Sequence, residues 1–191
     1  REGVARPINM FRATYVQISQ IKAYLPEEAR CLVWMGWGAP STTYLTPVFA
    51  SATELPEHFG RGVRTEYDEK SGFWNTVNVQ QLSTINYRSA IEDIKEVRDP
   101  KMASVYEQTA VAQKVAASMI NAGQKDLAVK YLTGYTAAVA NDWFDTYQAL
   151  GDKLLAKYMF GNVNMKVPAR SDWWKNIVFE TVSNNLRPEE V

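Results

Sequence analysis

The apolar positions alternate early in the chain and recur every three or four residues later, with the change near residue 70. Residues 14–21, Thr-Tyr-Val-Gln-Ile-Ser-Gln-Ile, predict a strand in which Val16, Ile18 and Ile21 supply the apolar side chains. A turn is expected at Tyr24-Leu-Pro-Glu-Glu, because Pro26 has no backbone donor for a ladder. The run from Cys31 to Trp37 is almost continuously apolar and of strand length, which suits a strand buried on both faces of a layered sheet. Gly36 and Gly38 within and after it admit a bulge or a close backbone approach. Residues 44–52 read as a further strand or extended segment, limited by Pro47. Residues 53–72, with Pro56, Gly60, Gly62 and Gly72 and dense charge, read as a loop whose part from Arg61 to Lys70 is a solvated face or flap.

Helical spacing follows. Tyr87, Ile91, Ile94 and Val97 fall on one stripe of residues 86–97. Asp99-Pro100 predicts a fresh helix start, aspartate as N-cap and proline in the first turn. Met102, Val105, Tyr106, Thr109, Ala112, Ala116 and Met119 continue at spacings of three and four, and Gly123 is placed to stop the helix. A last long pattern over residues 125–160 traces rows through Leu127, Tyr131, Tyr135, Ala138, Asp142, Thr146, Leu150 and Leu154, with Gly134 or Gly151 as expected kinks. The short Ala122-Gly123-Gln124 joint predicts an antiparallel helical hairpin. Ser171-Asp-Trp-Trp-Lys predicts a capped final helix to about Leu186, with Trp174, Ile177, Val178 and Val182 inward. The pattern defines an α+β chain, a few strands followed by a helical layer with a long hairpin. We divide it into a β-rich part over residues 1–70 and a helical part over residues 71–191, packed as one unit.

Composition narrows the chemistry. The 191 residues are 46% hydrophobic, enough for one sizeable core. Lys plus Arg equals Asp plus Glu at 21 each, which gives no net drive toward nucleic acid or an anionic membrane. No apolar run is long enough to span a bilayer. One cysteine and one histidine leave no disulfide framework and no Cys/His metal set, so no metal or cofactor is expected, and no sequence spacing sets a nucleophile and an orienter beside His58 for a relay. Phosphate-loop, dinucleotide and zinc-protease motifs are missing too. Cys31, inside an apolar run, reads as a small buried hydrophobe rather than an activated thiol. His58 reads as a solvated loop residue. Ser41, Thr42, Thr43 and Tyr44 follow a strand and a Gly-Ala-Pro turn. Their hydroxyls suit a peptide amide or carboxylate, and serine and threonine equally suit turns for their own sake. No catalytic residue is assigned within the chain.

Several segments in fixed order resemble one family. They are Pro7-Ile-Asn-Met-Phe-Arg-Ala-Thr-Tyr-Val-Gln-Ile, Leu25-Pro with an acidic pair, Val33-Trp-Met-Gly-Trp-Gly-Ala-Pro, Tyr44-Leu-Thr-Pro-Val-Phe, Thr53-Glu-Leu-Pro, and Phe73-Trp74 before the helical stretch at residues 86–97. Together they resemble the C-terminal half of the C69 dipeptidases, cysteine peptidases of the N-terminal-nucleophile hydrolase superfamily. The resemblance spans about residues 7–165 and is most specific over residues 31–56. It implies an α/β/β/α sandwich with a helical C-terminal extension. It also implies a nucleophilic cysteine at the start of a processed chain, with its own α-amine as base. The chain starts at Arg1, so that nucleophile is expected upstream, and the chain alone is expected to be inactive. The implied partners are the N-terminal part of the same protein and a dipeptide, with residues 41–44 in the pocket wall. A homo-oligomer is compatible with this layout, as is either the bacterial cytoplasm or the cell envelope. The other reading is a non-catalytic helical module whose hairpin binds a partner helix.

Overall fold

The computed structural model describes residues 8–168, 172, 173 and 175–177. The expected final helix therefore lies largely outside the described residues. Three antiparallel strands form one sheet in the order β1 (Tyr15–Ile21), β2 (Cys31–Trp37), β3 (Thr46–Phe49). Short helices α1 (Glu27–Arg30) and α2 (Glu57–Gly60) form where the sequence suggested only a turn and a loop. Three longer helices follow: α3 (Gly72–Ser83), α4 (Tyr87–Asn121) and α5 (Lys125–Tyr158). The chain is α+β, as its pattern predicts.

Register decides what the sheet buries. Tyr15 pairs with Trp37 and Ile21 with Cys31, while Leu32 pairs with Phe49 and Trp34 with Pro47. Side chains alternate between faces with period two. Leu32, Trp34 and Phe49 therefore join a core with Val79, Ile94, Val105, Leu132, Trp143 and Leu154 from the helices. Cys31, Val33, Met35 and Trp37 project to the other face and stay half-exposed. This corrects the expectation of a strand covered on both faces. It also moves Cys31 from a fully buried position to a half-buried one. Among the described residues this face is met at its Trp37 end, where Phe59 packs edge-on at 5.8 Å between ring centres and Gly72 lies against the indole.

The helical hairpin is closed as predicted. Gly123 adopts φ +77°, Gln124 N–H donates to Met119 O at 2.9 Å and Gly123 N–H to Ile120 O at 2.9 Å. That pair of bonds is a Schellman stop, and the positive φ favours glycine. Three other expectations change. Pro100 lies inside α4 rather than at a helix start. A proline removes one ladder bond and crowds the preceding turn. Ile91 and Ile94 before it, and Val105, Thr109, Ala112 and Ala116 after it, are all buried, so packing on both sides holds the helix continuous. On α5 the buried row is Ala128, Leu132, Thr136, Ala140, Trp143, Tyr147, Leu150, Leu154 and Tyr158, whereas Leu127, Ala138 and Asp142 face solvent. Neither glycine divides α5. Gly134 has open space around it, and a Cβ at Gly151 would stand 3.0 Å from Asn78 Nδ2, so Gly151 lets α3 approach closely.

Helix α3 carries little sequence signal because much of what it buries is polar. Asn75, Thr76, Gln80 and Ser83 are buried on it together with Val79. Thr76 bonds Gly72 O at 3.1 Å, Ser83 bonds Gln80 O at 2.7 Å and Asn75 Nδ2 reaches Phe144 O at 3.0 Å. A buried polar face erases the apolar stripe by which a helix is read from sequence.

Candidate functional site

The end of the sheet where β1 begins and β2 ends is built by a single amide. Gln80 Oε1 accepts Ala39 N–H at 2.8 Å, and Gln80 Nε2 donates to Phe11 O. The Gln80 amide thus holds the segment before β1 beside the loop after β2. Gly38 N–H donates to Thr14 O at 3.0 Å in the same place. Gly38 has φ +78°, and a Cβ there would meet Gln80 Oε1 at 2.8 Å, so a side chain is excluded twice. Asn9 Oδ1 accepts Ser41 N–H at 2.9 Å, and Arg98 Nη1 donates to Ser41 O.

The four residues expected to contact a ligand occupy two kinds of place. Ser41 is half-exposed on the loop, while Thr42, Thr43 and Tyr44 are buried. Thr42 O accepts the Tyr147 hydroxyl at 2.9 Å and Thr43 Oγ1 donates to Tyr44 O at 3.0 Å. The Tyr44 ring stacks on Trp143 at 4.8 Å and meets Tyr147 edge-on at 4.6 Å. Burial pushes both phenols above their ordinary value, so they stay protonated at neutral pH. A Cβ at Gly36 would fall 2.0 Å from Tyr44 O, which shows how closely the loop lies against β2.

Beside this bracket runs a trough made of two adjoining cavities. One, of about 230 Å³, is bounded by Thr14, Trp37, Phe59, Arg64, Ser71 and Phe73. The other, of about 170 Å³, shares Thr14, Arg64 and Phe73 and adds Arg12, Gln80 and Gln81. The loop carrying Arg64 is well anchored. Trp74 Nε1 donates to Val63 O at 2.9 Å, Val63 bridges to Glu66, and Arg61 pairs with Asp68 at 2.7 Å and with Glu57. The Lys70 backbone N–H, and then Arg61, hold the Asp68 carboxyl below the usual carboxylate range despite partial desolvation. Gly62 at φ +96° admits Ser71, whose Oγ would be 2.8 Å from any Cβ there.

His58 corrects the sequence reading. It is only 8% exposed, against Phe144 at 4.8 Å and Phe59 at 5.3 Å between ring centres. Burial lowers its pKa and the charge of Asp145 works against that, so the imidazole is neutral at pH 7. Its Nε2 has no hydrogen-bond partner among the described residues. The ring fits because residue 72 is glycine: a Cβ there would be 3.1 Å from His58 Cδ2 and 2.9 Å from Trp37 Nε1. The signal that was available is the aromatic neighbour Phe59; the second ring, Phe144, comes from a distant helix. Trp37 itself is half-buried and lines the trough, a rim position rather than a core one. Among the described residues no three His, Cys, Asp or Glu side chains come together as metal ligands, and no helix is long and apolar enough to cross a membrane.

The sheet, α1 to α3 and the bracketed trough fall in the part of the chain that defines its family. The chain belongs to peptidase family C69, whose model matches residues 1–99. It is also 23% identical over 162 residues to the probable dipeptidase B of Lactococcus lactis subsp. lactis (strain IL1403), a match that covers 85% of this chain and 32% of that relative. The chain thus spans about a third of the length of the curated relative it matches. Every residue named above as lining the trough falls within residues 1–99.

Proposed function

We propose that this chain works as part of a longer cysteine-type dipeptidase of the N-terminal-nucleophile kind, whose nucleophile lies outside residues 1–191. The observation that carries the reading is the outer face of the sheet. Cys31, Val33, Met35 and Trp37 are half-exposed there, and Tyr15 and Ile21 beside them are largely exposed. Such a face suits burial against another layer of the same protein. Membership of family C69 and the likeness to a probable dipeptidase supply the reaction class. In this reading the α-amine of a chain-terminal cysteine takes the thiol proton as the sulfur attacks the scissile carbonyl. The C–N bond breaks with that proton passed to the departing amino group, and water then hydrolyses the thioester to free the acyl residue and the thiol. Cys31 does not fill that role, because its own nitrogen is committed to a peptide bond. Ser41 lies outside the lining of the trough and is half-exposed on the loop at residues 39–44, so in this reading it is the one of the four left open to a ligand, while Thr42, Thr43 and Tyr44 hold the loop's shape. The helical hairpin spends its apolar rows on itself and on the sheet, which disfavours a role as a groove for a partner helix.

The test compares the longer protein with residues 1–191 for hydrolysis of dialanine and reads the mature N-terminal residue by mass spectrometry. The longer protein is expected to begin with cysteine, to cleave dialanine, and to keep that activity with Cys31→Ala. Cleavage by residues 1–191 alone, lost in Cys31→Ala, would overturn the reading.

A further inference from the structure

We infer that Arg64, with Arg12 across the same trough, is the site that takes the free α-carboxylate of the ligand. The substrate class rests on the dipeptidase reading; the anion site rests on the geometry. Three arginines border the trough: Arg12, Arg61 and Arg64. Arg61 is already neutralised by Glu57 and Asp68. Arg64 makes no ion pair or hydrogen bond among the described residues, and Arg12 lies over the Phe11 ring at 5.7 Å with no ion pair among them. Two uncompensated guanidinium groups therefore border one cavity of about 170 Å³, and Arg64 borders its 230 Å³ neighbour as well.

The surroundings select the anion. A guanidinium presents a planar fork that matches a carboxylate with two parallel hydrogen bonds. Trp37, Phe59 and Phe73 give the 230 Å³ cavity mainly apolar walls. Such walls accept a small side chain beside a singly charged carboxylate, and they penalise a doubly charged, strongly hydrated phosphate. The anchored backbone at Val63 and the Arg61–Asp68 pair fix where Arg64 starts, so the ligand orders one side chain rather than a loop. A carboxylate held there also gives an exopeptidase-like chain a measure of peptide length.

Dialanine, its C-terminal amide and inorganic phosphate are titrated into residues 1–191 while the Trp37 indole N–H is followed by NMR, in wild type, Arg64→Ala and Arg64→Lys. Dialanine is expected to shift the signal and to bind about tenfold or more tightly than the amide. Arg64→Ala should bring the two to equal, weak binding, and Arg64→Lys should recover part of the preference. Arg64 is exposed, so thermal unfolding of both variants should match wild type. No shift with dialanine, equal binding of dialanine and amide in wild type, an unchanged preference in Arg64→Ala, or tighter binding of phosphate would each overturn the assignment. The readout separates this site from the activity. A carboxylate preference that needs Arg64, in a protein that never cleaves dipeptides, sustains the site and sinks the dipeptidase reading. Cleavage by the longer protein, with the acid-to-amide ratio of kcat/KM untouched in Arg64→Ala, does the reverse.

Discussion

The two edges of the sheet are finished differently. At β3, Thr136 of α5 donates to Pro47 O at 3.0 Å and its Oγ1 stands 3.5 Å from Phe49 N, so a helix answers the outward backbone groups. Pro47 fits because its missing donor would have pointed away from β2. At β1, Tyr15, Ile18 and Ile21 are 56%, 51% and 69% exposed. Residues 15–21 hold no charge and no proline, the usual devices that protect a free edge. An edge closed by a helix is complete within this chain. A bare, uncharged, β-branched edge is open to pairing with a further strand, which the proposed longer protein would supply.

The largest effect is expected at the covered edge. Phe49 is buried on β3 against Tyr135, with ring centres 6.3 Å apart. Phe49→Ala should cost about 3–5 kcal/mol in urea unfolding. A near-neutral result would mean that β3 is no better covered than β1. Trp37→Ala, at the trough rim, should cost visibly less in the same assay.

Next in size is the edge closure. Thr136→Val keeps the volume and removes the hydroxyl, leaving Phe49 N–H and Pro47 O without that partner. A loss of about 1–3 kcal/mol is expected. Faster amide exchange at Phe49 would locate the loss at the edge, and protection as in wild type would show that Thr136 is a bystander.

A pH signature comes from His58, buried between Phe59 and Phe144. His58 has a folded pKa below its ordinary value of about 6.5. The unfolded chain therefore binds the proton more readily. The stabilising effect of a neutral His58 is full above the unfolded value and is lost as pH falls through it toward the folded one. The urea midpoint should drop between pH 7.5 and 5, and His58→Phe, which keeps the aromatic contacts with Phe59 and Phe144, should flatten that drop. An equal slope in the variant would assign the dependence to other groups.

The smallest effect belongs to the bare edge. Ile18→Lys should change the stability of residues 1–191 by no more than about 0.5 kcal/mol. It should reduce their self-association in sedimentation, because a charge blocks edge pairing. The same substitution in the longer protein should be costly. Equal tolerance in both would mean that nothing covers β1 there.

Much is legible in the sequence alone. The alternation over residues 14–21 and the apolar run Cys31–Trp37 define two strands, because side-chain period in a strand is a local property. The glycine stop at Gly123 and the rows on either side define the hairpin, since an αL residue is a backbone requirement of a few bonds. The ordered segments between Pro7 and Phe73 carried the family. What the sequence did not hold was the identity of each element's neighbour. Whether Pro100 ends a helix or sits inside one depends on partners for Ile94 and Val105. Which row of α5 is inward depends on where Phe49 and Tyr44 meet it. His58 is dry only because Phe144 arrives from a helix far along the chain. The trough joins Arg12, Trp37, Arg64 and Gln80 from four segments, and no spacing between them announces it. Local chemistry sets the period and the stops of each element. Burial is a property of pairs of elements, and it exists only once the chain has folded.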